Sequence, residues 1–268
     1  PNGSERSDAL GPLLPKRLLG RTGMQVSMLT VGGSHLGRPS EAEAQAIIEA
    51  AIELGVRTFE TAQLYQNGGS EERIGRFLSP KYREHVQIFT KTMAQDAGTA
   101  RQHLAGSLRR MNTDYIDLWQ LHDVRSPEQA ERRIAGVLDV MVEAKASGKV
   151  RHIGFSGHAT WRAHARVLDL TDQFETCLMP VNVADPSYES FILNILPKLI
   201  ERNMGVLAMK TLGGDGFFGR HGRRGIIPEL LSVADALRFA WSFPVGTLVS
   251  GMSRLQHLRE NAQTARTF

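Results

Sequence analysis

The chain reads as an α/β protein of the (β/α)8 TIM-barrel class, with an N-terminal β-hairpin ahead of the first strand. Three observations point there. Short β-branched runs alternate with amphipathic helical stretches along most of the sequence. About eight such units can be counted, the number that a closed parallel barrel needs. The 268 residues suit one barrel, and no stretch reads as a linker that would divide them. A doubly wound open sheet is the alternative arrangement of the same units.

Taken in order, residues 1–15 are polar or rich in Gly and Pro and read as a flexible N-terminal tail, leaving 16–268 for the barrel. Arg17–Leu29 carries Gly20 and Thr22-Gly23 between apolar residues, a hairpin pattern that could plug the bottom of a barrel. Strand-like runs follow at Met28–Gly33, Val56–Glu60, Val86–Thr90, Tyr115–Leu121, Val150–Ser156, Thr176–Val181, Gly205–Met209 and Thr247–Gly251. Helical patterns occupy Glu41–Leu54, Glu71–Leu78, Ala100–Met111, Glu128–Ser147, Trp161–Leu170, Ser190–Arg202, Val233–Ser242 and Arg254–Arg266. Ser40 with Glu43, Thr99 with Gln102, Ser232 with Asp235 and Ser253 with Gln256 have capping-box or similar spacing. Ser126-Pro127-Glu128 sets a cap, a first-turn proline and an acidic first turn in sequence. Gly55, Gly148 and Gly205 fall where helices should stop.

Composition narrows the function classes. Hydrophobic residues make up 41%, enough for a real core, and the net charge is only +4, from 32 Lys plus Arg against 28 Asp plus Glu. So small an excess, spread along the chain, reads as a mixed solvated surface rather than a nucleic-acid interface, and it would also suit a polyanionic cofactor. No apolar stretch reaches membrane-spanning length. Cys177 is the one cysteine, lies in an apolar run and reads as a buried structural thiol; no Cys/His cluster suggests a metal site. A reducing cytoplasm is the expected compartment.

A barrel enzyme places its chemistry at the carboxyl ends of the strands. There the sequence sets Glu60 with Tyr65 just beyond, then Lys91, His122, Ser156, Asn182, Lys210 and, after Gly251, Ser253 and Arg254. Tyr65, Lys91, His122 and Glu60 make a chemically coherent set. A phenol titrates near pH 10, a neighbouring ammonium would lower that value, a carboxylate would hold the ammonium, and an imidazole could orient a substrate oxygen. Each also has a plain reading: Tyr65 a loop aromatic, Lys91 a solvated charge, Glu60 an internal ion-pair partner.

These residues carry a resemblance to the aldo-keto reductase superfamily, in an atypical, bacterial-looking branch, from about Lys16 onward. Leu19-Gly20-Arg21-Thr22-Gly23 resembles the family's opening. Gly55-Val56-Arg57-Thr58-Phe59-Glu60-Thr61-Ala62 with Tyr65, then Gly69-Ser70-Glu71-Glu72 and Ile74-Gly75, resembles its best-known signature. Thr90-Lys91, Asp114–Leu118 leading to Leu121-His122, Gly148–Arg151 through Gly154-Phe155-Ser156, and Leu258-Arg259-Glu260-Asn261 follow in order. The resemblance implies a (β/α)8 barrel that uses NADPH/NADP+ to reduce a small aldehyde or ketone. It implies Tyr65 as general acid, Lys91 as the group that depresses its pKa, His122 as substrate-orienting and Glu60 in the place of the usual aspartate. It also implies cofactor contacts at Ser156 and Asn182 for the carboxamide, and at Lys210, Leu212 and Gly214 for the pyrophosphate. Ser253, Arg254 and His257 would meet the adenosine 2′-phosphate, with Glu260 and Asn261 near the adenine.

The chain departs from the family pattern at several of these places. Glu60 is longer than aspartate by a methylene, and Gly157 stands after Ser156 where asparagine is usual. Asn182 replaces glutamine, Met209 an aromatic that would stack on the nicotinamide, and His257 an arginine. The Gly- and Arg-rich stretch 213–228 is long for a loop and could act as a lid. Leu36, Trp161 and Phe217 or Phe218 are candidate substrate contacts. Two rival functions share the fold: a non-catalytic NADPH-binding regulator, and a lyase or isomerase that needs no cofactor.

Overall fold

A computed structural model of the protein describes residues 7–187, 189–213 and 231–268. Two small antiparallel hairpins come first, β1 (Ser7–Asp8) with β2 (Gly11–Pro12), then β3 (Lys16–Leu18) with β4 (Gln25–Ser27). Eight parallel strands follow and close on themselves: β5 (Leu29–Gly32), β6 (Thr58–Glu60), β7 (Gln87–Thr92), β8 (Ile116–Leu121), β9 (Val150–Ser156), β10 (Thr176–Pro180), β11 (Gly205–Met209) and β12 (Thr247–Gly251). The ring is completed where β12 meets β5, Leu248 opposite Leu29 and Gly251 opposite Gly32. The closed barrel is therefore the observed arrangement, not the open sheet.

The β3–β4 hairpin seals the amino-terminal end of the barrel. Leu19 and Val26 are fully buried and pack on the inward-facing Phe89, Leu118, Leu178 and Leu207. Gly20 lies against the start of β11, where a Cβ would sit 2.3 Å from the Gly205 nitrogen, so only glycine allows this approach. The larger core lies between the barrel and its surrounding helices.

The expected tail over 1–15 is corrected for its described part. Residues 7–15 are bound to the barrel: the Arg57 guanidinium, fully buried, pairs with the Asp8 carboxylate at 2.8 Å, and the Leu14 N–H donates to the Gly55 carbonyl at 3.0 Å. A short apolar side chain, Leu14, buried to 1% exposure, supplies the anchoring surface that composition alone hid.

Helix ends follow the local chemistry. Ser40 and Glu43 form the reciprocal cap of Glu41–Glu53, Ser126 caps Pro127–Ala146, and Ser232 caps Val233–Trp241. Thr99 is not a cap: Asp96, three residues earlier, accepts the Thr99 N–H at 2.9 Å and starts the helix Ala97–Arg110. Nor does Ser253 cap the last helix, Leu255–Arg266, whose first residues follow Arg254 without a side-chain cap. Gly55 and Gly148 take φ of 87° and 75° as expected for helix stops, but before β11 that role falls to Asn203 at 49°.

Two expected helices are broken. The stretch Glu71–Leu78 becomes Gly69–Arg73, a wide turn Ile74–Leu78, and Ser79–Tyr82. Gly75 sits there because a Cβ would lie 1.9 Å from the Arg110 carbonyl oxygen. Ser190–Arg202 divides into Phe191–Asn194 and Leu196–Glu201, with Pro197 at the start of the second piece.

Candidate active site

A cleft of about 1080 Å3 opens at the carboxyl ends of the strands, lined by Glu60, Tyr65, Lys91 and His122 among others. Glu60 and Lys91 end β6 and approach the end of β7, are 2% and 1% exposed, and their charged groups are in direct contact. The Lys91 ammonium also donates to the Thr61 carbonyl at 2.8 Å and to the Tyr65 hydroxyl oxygen at 3.1 Å. The Tyr65 hydroxyl donates in turn towards Glu60 at 3.4 Å. The extra methylene of Glu60 is accommodated because its second carboxylate oxygen accepts the Gly33 N–H at 3.3 Å, and because Gly33 has no Cβ, which would meet the Glu60 carbonyl at 2.5 Å.

The loop carrying Tyr65 is held from both sides. Gln66 and Asn67 turn the chain through the left-handed region at φ 49° and 54°. Beyond them the Ser70 hydroxyl donates to the Gly33 carbonyl at 2.9 Å and accepts from Thr61 at 2.7 Å. Glu71, fully buried, accepts from Thr90 at 2.6 Å and pairs with Arg110. The Gly-Ser-Glu sequence after Tyr65 thus acts as a brace joining the loop to β7. His122 is fixed through its backbone: the buried Arg133 guanidinium donates to the carbonyls of His122, Thr92 and Ala94 at 2.5, 2.9 and 3.0 Å.

Electrostatics sorts the roles. Burial lowers the His122 pKa well below its usual value, and the charges of Lys91 and Arg133 add to this, so the ring is neutral near pH 7. Its Nδ1 is buried with no partner among the described residues, and the ring meets Tyr65 edge-on at 5.7 Å. Burial also pushes the Lys91 ammonium well below its ordinary range. For Tyr65 the expectation of a lowered pKa is corrected: burial raises it, and the Asp123 carboxylate raises it further. Desolvation of the phenolate outweighs the neighbouring ammonium. Tyr65 therefore holds its proton at neutral pH, and Lys91 is placed to stabilise the oxygen as that proton leaves.

The other expected site residues divide. Ser156, Met209, Lys210, Leu212, Gly251 and His257 line the same cleft. Ser156 is spoken for in part, accepting the Asp123 N–H at 3.2 Å. Asn182 is 2% exposed; its oxygen accepts the Ala184 N–H at 3.0 Å, while its Nδ2 has no partner among the described residues. Ser253 and Arg254 are exposed at the start of Leu255–Arg266, and Glu260 is exposed and bonded to Gln256. Asn261 does not face the cleft openly: it is 3% exposed, and its amide donates to Ser250 at 3.2 Å. Gly214 lies outside the described residues, with the rest of 214–230, including Phe217 and Phe218. Leu36 belongs to the packed core instead of the cleft. Sequence reasoning missed Ser34, His35, Arg38, Asp123 and His158, which also line the cleft. Asp123 had one signal, its position directly after a strand-end histidine; the others sit in loops without a pattern.

The model of the Aldo/keto reductase family matches residues 28–230. The chain belongs to the aldo/keto reductase family. It is 25% identical to the uncharacterized oxidoreductase YqkF of Bacillus subtilis over 93% of this chain and 90% of that protein. Several other curated aldo-keto reductase relatives and oxidoreductases are spanned for about half to two thirds of their length. In fold it is similar to the aldo-keto reductase AKR11C1 of Bacillus halodurans, holo form, with a TM-score of 0.79 at 23% identity, covering 94% of this chain and 90% of that one. It is also similar to an aldo-keto reductase of Klebsiella pneumoniae solved in complex with NADPH, with a TM-score of 0.72 at 20% identity, covering 94% and 90%.

Proposed function

We propose that this aldo-keto reductase is an NADPH-dependent carbonyl reductase, converting a small aldehyde or ketone to the alcohol. The observation that carries the reading is the contact set of Tyr65, Lys91 and Glu60 beneath the cleft, with neutral His122 beside it. The residues fit a nicotinamide dinucleotide. Asn182 keeps a buried amide N–H free to donate among the described residues, as a carboxamide would require. The final helix begins without a side-chain cap next to Arg254 and His257, a donor set suited to a phosphate. The Klebsiella protein's complex with NADPH supports the same choice.

Ser156 and Asn182 would hold the nicotinamide end of NADPH and Ser253, Arg254 and His257 its 2′-phosphate, and the cofactor so held would supply the hydride. The chain's own residues handle the proton. Negative charge grows on the carbonyl oxygen as the carbon is reduced, and Tyr65 gives that oxygen its hydroxyl proton. Lys91 donates to the Tyr65 oxygen as it becomes phenolate, and Glu60 keeps the ammonium in place. His122, neutral and directed by Arg133, hydrogen-bonds the substrate oxygen instead of protonating it. Because the contact with Lys91 survives the change to Glu60, catalysis is favoured over a purely regulatory role.

Multiple-turnover consumption of NADPH with a panel of aldehydes and ketones tests the reading. Steady turnover with product alcohol supports it. Tight NADPH binding without turnover on any carbonyl would leave only the regulator, and no NADPH binding would remove both.

A further inference from the structure

The chain turns sharply just past His122. Asp123 adopts φ 57°, a left-handed conformation that aspartate tolerates better than most residues. The turn sets its carboxylate in the cleft wall beside the reacting groups, with the residue only 6% exposed. The position is fixed by the Asp123 N–H, which donates to Ser156 Oγ at the end of β9. One carboxylate oxygen, Oδ2, accepts from the Arg125 guanidinium at 2.6 Å. The other, Oδ1, is buried and has no hydrogen-bond donor among the described residues. His158 Nε2 stands 3.6 Å from it, beyond hydrogen-bond range.

A buried carboxylate oxygen without a donor is costly, and in a cleft wall the missing donor is supplied by whatever enters. That donor is an O–H or an N–H. Arg38 lines the same cleft, so a cationic substrate would meet a like charge, whereas a neutral hydroxyl would not. The carboxylate likewise disfavours an acidic substrate.

We infer that Asp123, with His158 beside it, is a specificity-determining pair that hydrogen-bonds a hydroxyl of the substrate, so that the site takes hydroxylated ketones and aldehydes. The inference rests on the carbonyl-reductase reading and names its substrate class. Asp123 accepts the hydroxyl proton at Oδ1, and His158 is close enough to complete the contact on the hydroxyl oxygen. No bond is made or broken there, so the pair acts on which carbonyl compound is held, and the transfer steps stay with Tyr65.

The test compares kcat/KM for hydroxyacetone and 2-butanone, near-isosteres that differ by a hydroxyl in place of a methyl. The hydroxyl changes the carbonyl's own reactivity, so the readout is how the ratio of the two values moves between wild type and variants. Asp123→Gly removes the carboxylate and is unstrained at this φ. Asp123→Asn keeps the shape and also tolerates the left-handed region, and it carries the test if the glycine variant fails to fold. Loss of a charge-assisted hydrogen bond should lower the hydroxyacetone preference about tenfold or more in Asp123→Gly, with a smaller fall in the same direction in Asp123→Asn. A ratio within about twofold of wild type in whichever variants fold, well under that effect, overturns the inference, including the case where both substrates weaken together as a structural role for Asp123 predicts. 4-Nitrobenzaldehyde, which has no hydroxyl, separates the two levels. If wild type reduces it while the ratio is unmoved, only the hydroxyl pair falls. If wild type reduces none of the three with NADPH, the reductase reading falls and this inference with it.

Discussion

Replacing Glu60 by Gln removes one charge and almost no volume. The Lys91 ammonium, 1% exposed, then keeps the Thr61 carbonyl and the Tyr65 oxygen as acceptors but loses its counter-ion. Breaking a buried ion pair from one side costs about 3–5 kcal/mol. The glutamine oxygen can still accept one hydrogen bond, so the lower end applies. For a chain of this size about 3 kcal/mol lowers Tm by roughly 6–12 °C. The chemical consequence is larger. Burial already pushes the Lys91 ammonium down, and removing Glu60 takes away the counter-ion that favours its charged form, so the positive charge facing a developing phenolate is weakened. Turnover should fall about 10²-fold or more, while the NADPH Kd, set mainly at the far end of the cleft, changes little. The assay is kcat per folded molecule, with Tm and cofactor Kd measured on the same preparation. Unchanged turnover per folded molecule, alongside a lower Tm, would refute the reasoning and reduce Glu60 to a structural ion pair.

Two further outcomes follow from other parts of the molecule. NADPH should bind about tenfold or more tightly than NADH through a charge-assisted contact at Arg254, with His257 in the place of arginine narrowing the margin; equal Kd values at moderate salt would remove that assignment. Asp8, held by Arg57, titrates at about 2 instead of 3.8, so the pair contributes about 2 kcal/mol that is present above pH 4 and lost as pH falls towards 2. Asp8→Asn should therefore be less stable than wild type by that amount in urea unfolding at pH 7, with the gap shrinking at pH 3; a gap that widens in acid would contradict it.

How far the sequence could be read depended on the range of the interactions. The barrel strands show plainly because they are short, largely apolar runs set between helical patterns, and the capping residues at Ser40, Ser126 and Ser232 act within one turn. The breaks near Gly75 and Pro197 had local signals of different clarity. Proline at 197 marks a helix start by itself, whereas Gly75 is required only by the Arg110 carbonyl from another helix. Tyr65, Lys91, His122 and Glu60 were legible because strand ends in a barrel converge. The raised pKa of Tyr65 was not, since it depends on the depth of burial and on Asp123, neither of which spacing reveals. The anchoring of residues 7–15 was hidden for the same reason: Asp8 finds its partner 49 residues away.

The central claim is that the Tyr65 hydroxyl supplies the proton during carbonyl reduction. Single-turnover reduction of a small aldehyde by Tyr65→Phe, premixed with NADPH, measures that step without product release. Phenylalanine keeps the ring and its edge contact with His122 and removes only the hydroxyl, so fold and cofactor binding should persist. The account predicts a rate 10²–10⁴-fold below wild type, with His122→Asn a milder lesion because the neutral imidazole only orients the oxygen. A Tyr65→Phe rate within about threefold of wild type, far short of what loss of a general acid costs, would contradict it.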